Sequence, residues 1–363
     1  MIVIGVDTHK SSHAMAAVSA DTGQLSSEQA IAASEEGHRQ ALSWARALGP
    51  ERVWAIEDCR HVSRRLEQAL MTAGERVVRV PPNMMGASRR GEREAGKSDQ
   101  IDARAVARAV LREGMERFPK AFLDERALEI RVLCDHRDSL IAERTRMISR
   151  LRWHLVEICP QLEATIPYRR LHTGVALDRI ARRLRREPRV ARVRVALELV
   201  ASIRSLTRHA TGLERDLRLL ITAYRPALLA ERGLGVMTAA TLIGHTAGAE
   251  RFPTDAHFAR HAGVAPIPVS SGRNDRHRLH RGGNRQLNRA LHTIAVTRAR
   301  IDPQTRAYLE RKRSEGKTRR EALRCLKRHL ARHVHHLLSM PPASADRTPP
   351  SLLNAAISVP CLT

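Results

Sequence analysis

The sequence predicts an α/β domain at the N-terminus, a helical spacer that suits a coiled coil, and a mainly α-helical C-terminal domain. Three observations carry this. Short apolar runs alternate with amphipathic helical segments at the start of the chain. From Leu123 to Ile158 there is no Gly or Pro, and apolar residues recur at helical spacing. From Gly233 onward, closely spaced glycines open a helix of small residues.

Each element can be justified in turn. "MIVIGV" is a continuous apolar run, as a buried strand requires. "HAMAAVSA" is a second strand, ended by the turn signal "DTG". "SEEGHRQALSWARAL" is a helix with Ser34 as its N-cap. "RVWAIE" is a buried strand, and "VSRRLEQALMTAG" is a helix closed by Gly74. "ERVVRVPP" is a strand stopped by its prolines. This β-β-α-β-α-β order builds a mixed sheet covered by helices. A helix follows from Asp99 to about Glu113, and "FPKAF" breaks it from the long helix ending at Ile158. Residues 175–224 continue in helical style, interrupted at Pro188 and Gly212. Alternating charges on both long stretches suit antiparallel helices or a dimerising coiled coil. "GLGVMTAATLIGHTAG" resembles a helix-hairpin-helix turn, where backbone N–H groups meet phosphate; a plain helix start fits it equally. The domain boundaries read as 1–120, 121–228 and 229–340. The tail 341–363 is rich in Pro, Ser and Ala and is expected to be poorly ordered.

Lys and Arg number 63 against 38 Asp and Glu, a net charge of +25 that points to a polyanionic partner. No stretch is apolar for the length of a bilayer crossing, and no signal-peptide pattern opens the chain, so a membrane role is not expected. The five cysteines are scattered without a C-x-x-C pair, which argues against zinc and suits reduced thiols in a cytoplasm. Nineteen Lys or Arg against five Asp or Glu lie between Arg273 and His336, so the surplus is concentrated there. Aromatic residues are few, which favours arginine contacts to a nucleic-acid backbone over base stacking as the main binding mode.

Four acids stand where chemistry is expected. Asp7 ends "MIVIGV" and Glu57 ends "RVWAI". Parallel neighbouring strands would bring both carboxylates to one sheet edge, where the pair suits Mg²⁺, a hard cation that takes oxygen ligands. In "KSDQIDAR", Asp99 and Asp102 lie three apart on one helix face. Taken alone, Asp99 fits an N-cap with Asp102 at the third helical position just as well. Asp58 competes with Glu57, but the apolar alternation places Glu57 nearer the strand. Lys10 and Lys97 lie near these acids and are candidates for phosphate contact. Far along the chain, Ser270 and Ser271 precede Gly272 in "PVSSGRND". A serine beside glycine can approach a phosphate closely, and Arg273, Arg276 and His277 would stabilise a pentavalent phosphorus. A turn serine bonded to backbone explains the same residues.

The ordered set "GVDTHK", "AIEDCR", "KSDQIDA", "GLGVMTAATL" and "RFPTDAHFARHAGVAPIPVSSGR…HRGGNRQLNRAL" resembles the DEDD transposases of the insertion sequence one-ten family, over roughly Met1 to Leu338. The resemblance implies a RuvC-like (RNase H-like) first domain whose acids Asp7, Glu57, Asp99 and Asp102 hold Mg²⁺. It implies a C-terminal serine nucleophile that forms a 5′-phosphoserine link to DNA; this is Ser271, directly before the glycine, with Ser270 as its neighbour. It implies a recombinase acting on donor and target DNA under a bridge RNA, as a homodimer or homotetramer with a composite site. Such a protein would associate with the nucleoid when acting. Nucleic-acid contacts are then expected from Lys10, Lys97, Arg273, Arg276, Arg281, Asn284, Arg285 and Arg289. The chain departs from the family at "RGLG" and "HTAG", where "PGIG" and "EIGD" are usual. Two other classes fit parts of the sequence. A RuvC-like, metal-dependent Holliday-junction nuclease needs only the four acids and would use water as nucleophile. A non-enzymatic nucleic-acid binder needs only the charge, and strand-end acids without a metal would repel its ligand.

Overall fold

The computed structural model describes residues 1–58, 60–81, 98–122, 124–167, 169–271, 274–278, 280 and 282–341. Lys97, Gly272, Arg273, Arg281 and the tail from 342 therefore lie outside the described residues, as do the side chains of Ser270, Ser271 and Arg276. The chain divides into two compact units. The first contains Met1–Asp124, Ala247–Ala295 and Ala307–Ser339; the second contains Glu125–Thr246 and Val296–Arg306.

The first unit opens with strands β1 (Ile2–Thr8), β2 (Ser12–Ser19) and β3 (Leu25–Ala32), then helix α1 (Glu35–Ala47), β4 (Arg52–Glu57), α2 (Arg60–Thr72), β5 (Val77–Val80) and α3 (Asp99–Glu113). The sheet order is β3-β2-β1-β4-β5, with β1–β2 and β2–β3 antiparallel and β1–β4 and β4–β5 parallel. This is the mixed α/β sheet the apolar runs require. β3 was not expected, because "LSSEQAIA" carries few apolar residues. It is an edge strand whose side chains are largely half-exposed or exposed, so it lacks a buried strand's pattern. Ser34 caps α1 as expected, its Oγ accepting the Gly37 N–H at 3.1 Å.

Two apolar layers sandwich the sheet. On one face Val3, Val53, Ala55, Val78 and Val80 pack on Ala105, Val106 and Ala109 of α3. On the other, Ile4, Val6, Met15, Trp54 and Ile56 pack on Ala41, Ala45, Leu66 and Leu70 of α1 and α2. Each large aliphatic side chain so buried contributes roughly 1.5–3 kcal/mol. The expected break at "FPKAF" runs along β5: the Arg79 N–H donates to Pro119 O (3.0 Å) and the Ala121 N–H to Val77 O (2.9 Å), covering a sheet edge.

Gly5 fixes the distance between sheet and α3. A Cβ there would lie 2.0 Å from the Ala103 carbonyl oxygen and 2.6 Å from the Ala107 nitrogen, both backbone atoms that cannot swing aside. Gly5→Ala is expected to destabilise the fold by on the order of 3 kcal/mol, read as a lower urea midpoint.

The second unit is helical: α4 (Glu125–Ile158), α5 (Pro160–Ala164), α6 (Gly174–Leu184), α7 (Ala191–Tyr224), α8 (Pro226–Ala230) and α9 (Val236–Thr246). α4 and α7 are antiparallel, since Arg137 meets Glu214 (3.2 Å), Arg144 meets Thr207 (3.3 Å) and Glu157 meets Arg192. Leu151, Leu155, Ile180, Leu184, Ala196 and Ile203 form one buried core with α6. Pro188 does fall in a break, between α6 and α7. Gly212 does not interrupt: α7 runs through it, because packing against α4 offsets the ~1 kcal/mol that an internal glycine costs a helix.

The remaining elements are α10 (Asp255–His261), β6 (Ile267–Ser271), β7 (Asn274–Arg278), α11 (Arg285–Ile301), α12 (Pro303–Ser314) and α13 (Arg319–Ser339). Among the described residues no helix is long and apolar enough to cross a membrane.

Candidate active site

The β1–β4 register ends at Val6 opposite Ile56, so the next residues, Asp7 and Glu57, stand at adjacent C-terminal strand ends. Strand alternation puts Asp7 on the same face as Val3 and Gly5, and Glu57 on the same face as Val53 and Ala55. That face is the one covered by α3. The close approach at Gly5 therefore delivers the first turn of α3 to the strand ends, and with it Asp99 and Asp102.

The N-cap alternative for Asp99 does not hold. Ser98 is the cap: its Oγ accepts the Ile101 N–H at 3.3 Å, and Asp99 is the first helical residue. The two aspartates are thus not needed to satisfy the helix end. Asp7 and Asp102 are buried, at 5 % and 6 % exposure, whereas the Asp99 side chain is over half exposed. Burial is the main cause that raises the Asp7 pKa above the usual carboxylate range. The charges of Asp102 and Asp99 push it further up, and His9 opposes them.

Sequence reasoning missed His9. Its Nε2 lies 3.1 Å from Asp7 Oδ2 and 3.3 Å from Asp99 Oδ1, so the imidazole bridges two of the acids. Asp7, His9 and Asp99 offer ligand atoms that all lie within 4.8 Å of one another. The signal was in "DTHK", but strand alternation stops at Thr8. Only the tight turn closed by His9 N–H to Ser12 O (2.9 Å) folds the ring back over the site. Lys10 is exposed in the same turn.

The expected serine loop is a β-hairpin. Ser271 is the last residue of β6 and pairs with Asn274, so it stands directly at the turn, with Ser270 one register position back, opposite Asp275. The hairpin is anchored by a crossing of glycines: a Cβ on Gly283 would lie 2.2 Å from the Gly263 Cα, and Gly263 itself has φ +69°. Asn284 caps α11, its Oδ1 accepting the N–H of Gln286 (2.9 Å) and Leu287 (3.1 Å). Arg285 and Arg289 follow on the exposed face of α11, four residues apart. His277 and Arg278 of β7 are exposed.

A DEDD transposase model of the IS110 type matches residues 4–160, and a model described as transposase IS116/IS110/IS902 family matches residues 226–310. The chain is 32 % identical over 271 residues to an insertion element IS110 43.6 kDa protein of Streptomyces coelicolor, covering 62 % of this chain and 67 % of that one. It is 27 % identical to an insertion element IS900 42 kDa protein of Mycobacterium paratuberculosis, covering 89 % and 92 %. It is 28 % identical to an insertion element IS116 44.8 kDa protein of Streptomyces clavuligerus, covering 90 % and 92 %. Among solved structures, T. thermophilus RuvC in complex with Holliday junction substrate matches at 17 % identity and TM-score 0.26, over 33 % of this chain and 99 % of that one. With both conserved-domain models in chain order and relatives aligned along most of its length, this chain belongs to the IS116/IS110/IS902 family of transposases.

Proposed function

We propose that the protein cuts and rejoins DNA at an insertion element through a covalent 5′-phosphoserine at Ser271, with Mg²⁺ held by Asp7, Glu57, Asp99 and Asp102. The observation that carries this is the gathering of strand-end and helix-start carboxylates on one sheet face while Ser98, not an aspartate, caps the helix. The donor set fits the ion. Oxygen ligands suit Mg²⁺, and Asp7, whose pKa is raised chiefly by burial and further by the charges of Asp102 and Asp99, is a carboxylate that a bound cation would hold ionised. When bound, the metal would supply Lewis-acid stabilisation of the phosphate oxygens.

The chain's own residues do the rest. The Ser271 oxygen bonds to phosphorus, the bond from phosphorus to the 3′-oxygen breaks, the serine proton passes to solvent, and the departing 3′-oxygen takes a proton from solvent and leaves as a 3′-hydroxyl. Attack by the 3′-hydroxyl of a second strand reverses the sequence and returns the serine. One phosphodiester is exchanged for another, so no external energy source is needed. His9 holds Asp7 and Asp99 in place. Exposed Arg285 and Arg289, with Lys10, Lys97, Arg273, Arg276, Arg281 and Asn284, contact the nucleic-acid backbone. In this reading residues 1–120 form the metal domain, 121–228 the coiled-coil spacer and 229–340 the serine domain. The strands are chosen by a bridge RNA paired to donor and target, and two or four copies assemble so that acids and serine of different subunits form one site.

The test is an adduct assay. Protein, guide RNA, donor and target DNA and Mg²⁺ are mixed, and denaturing gels are read for protein that migrates with labelled DNA. Ser271→Ala is expected to remove the adduct and Ser270→Ala to keep it. An adduct that survives Ser271→Ala overturns the assignment.

A further inference from the structure

A cavity of about 650 Å³, well within the size range of ligand pockets, opens beside the base of the β6–β7 hairpin. Its wall is formed by the turn Gly263–Pro266, by His277 and Arg278 of β7, by α12, by α13 and by the turn joining those two helices.

The charge of this wall is one-sided. Glu315 is paired with Lys312 at 2.7 Å. Glu321 is occupied by the N-terminus of α13, accepting from the Thr318 N–H (2.8 Å) and hydroxyl (2.7 Å). Arg278, Arg324 and Lys327 then line the cavity with no carboxylate partner among the described residues, and Lys317 shares Glu315 with Lys312.

Lys327 is the most telling of these. It is only 7 % exposed, and its ammonium donates to Asn288 Oδ1 at 2.6 Å, a neutral acceptor. Asn288 is itself fixed by donating to the carbonyls of Ala262 (3.2 Å) and Gly263 (2.9 Å). A buried cation without a counter-charge is costly, and an anion in the cavity would relieve that cost. On the same wall the Tyr308 hydroxyl is buried and has no hydrogen-bond partner among the described residues. Its ring meets His329 edge-on at 5.5 Å, so an aromatic pair adjoins the cations.

We propose that this cavity holds one nucleotide of a nucleic-acid strand lying along the hairpin, its phosphate bound by Lys317, Arg324 and Lys327 and its base set against Tyr308. Several cations beside an aromatic ring form the arrangement that grips a strand by backbone and base together. The strand is single at this point, because a pocket receives a base only when it is out of a duplex. Arg278 pairs with Ile267, four residues along β6 from Ser271, or about 13 Å at ~3.3 Å per residue. The cavity thus adjoins the hairpin strand whose last residue is Ser271. This rests on the reading that the serine domain handles nucleic acid, but its test reads binding without cleavage, so failure of the serine chemistry leaves it intact.

The experiment measures fluorescence anisotropy of a labelled ten-residue oligothymidylate with the full-length protein. Lys317→Ala/Arg324→Ala is expected to weaken binding about 10-fold or more with unchanged Tm. Arg313→Ala/Arg320→Ala, which removes equal charge from exposed positions outside the cavity, is expected to weaken it less than about 3-fold. Lys327→Met should weaken binding without lowering the Tm of the free protein. Equal losses from the two pairs overturn the proposal. So does a free mononucleotide that competes as well as the oligonucleotide, or a Lys327→Met variant that loses stability and keeps its affinity.

Discussion

Asp7→Asn is expected to lower DNA cleavage by roughly 10³-fold while making the metal-free protein more stable. The loss follows from the several kcal/mol of charge stabilisation that a bound metal supplies to phosphoryl transfer. The gain follows from the environment of Asp7. Its folded-state pKa is raised, chiefly by burial and further by Asp102 and Asp99. A carboxyl raised on folding favours the native state at low pH and loses that contribution as pH rises through the folded pKa. At neutral pH the wild-type carboxylate therefore destabilises the empty fold, and a neutral asparagine of the same shape removes that cost. Thermal melts in chelator should show a higher Tm for Asp7→Asn than for wild type at pH 7, with the gap narrowing as pH falls. Added Mg²⁺ should raise the wild-type Tm and leave the variant nearly unchanged. A variant that melts below wild type in chelator would show that Asp7 is a structural carboxylate.

Mixing two dead variants is expected to restore activity. If acids and serine of one site come from different subunits, a dimer of Asp7→Asn with Ser271→Ala carries one intact site and one doubly broken site. Random assembly makes half of the dimers mixed, so about a quarter of wild-type adduct is expected. The adduct should sit on the Asp7→Asn chain, which keeps its serine, and a size tag on one variant identifies it. Sites built within one subunit would give no adduct from the mixture at any ratio.

The sheet was largely legible because its strands are buried on both faces and their sequences are continuous apolar runs. Asp7 and Glu57 were legible for the same reason, since a carboxylate ending such a run is conspicuous. The edge strand β3 was hidden because partial exposure leaves no apolar pattern. His9 was hidden because its position depends on a turn rather than on strand periodicity. That Ser98 rather than Asp99 caps α3 needed the structure, because both residues are good caps in the sequence. The hairpin at Ser271 was not legible because "NDRHR" is polar throughout. It forms a strand by pairing with "IPVSS" rather than by burying a face.

The most direct test of the chemistry is to digest the protein–DNA adduct and locate the nucleotide by peptide mass spectrometry. The expected result is a nucleotide on the peptide containing Ser271, joined through its 5′-phosphate, present with Mg²⁺ and absent with chelator. Cleaved DNA bearing free 5′-phosphates and 3′-hydroxyls, with no modified peptide, would contradict the serine mechanism and leave water as the nucleophile.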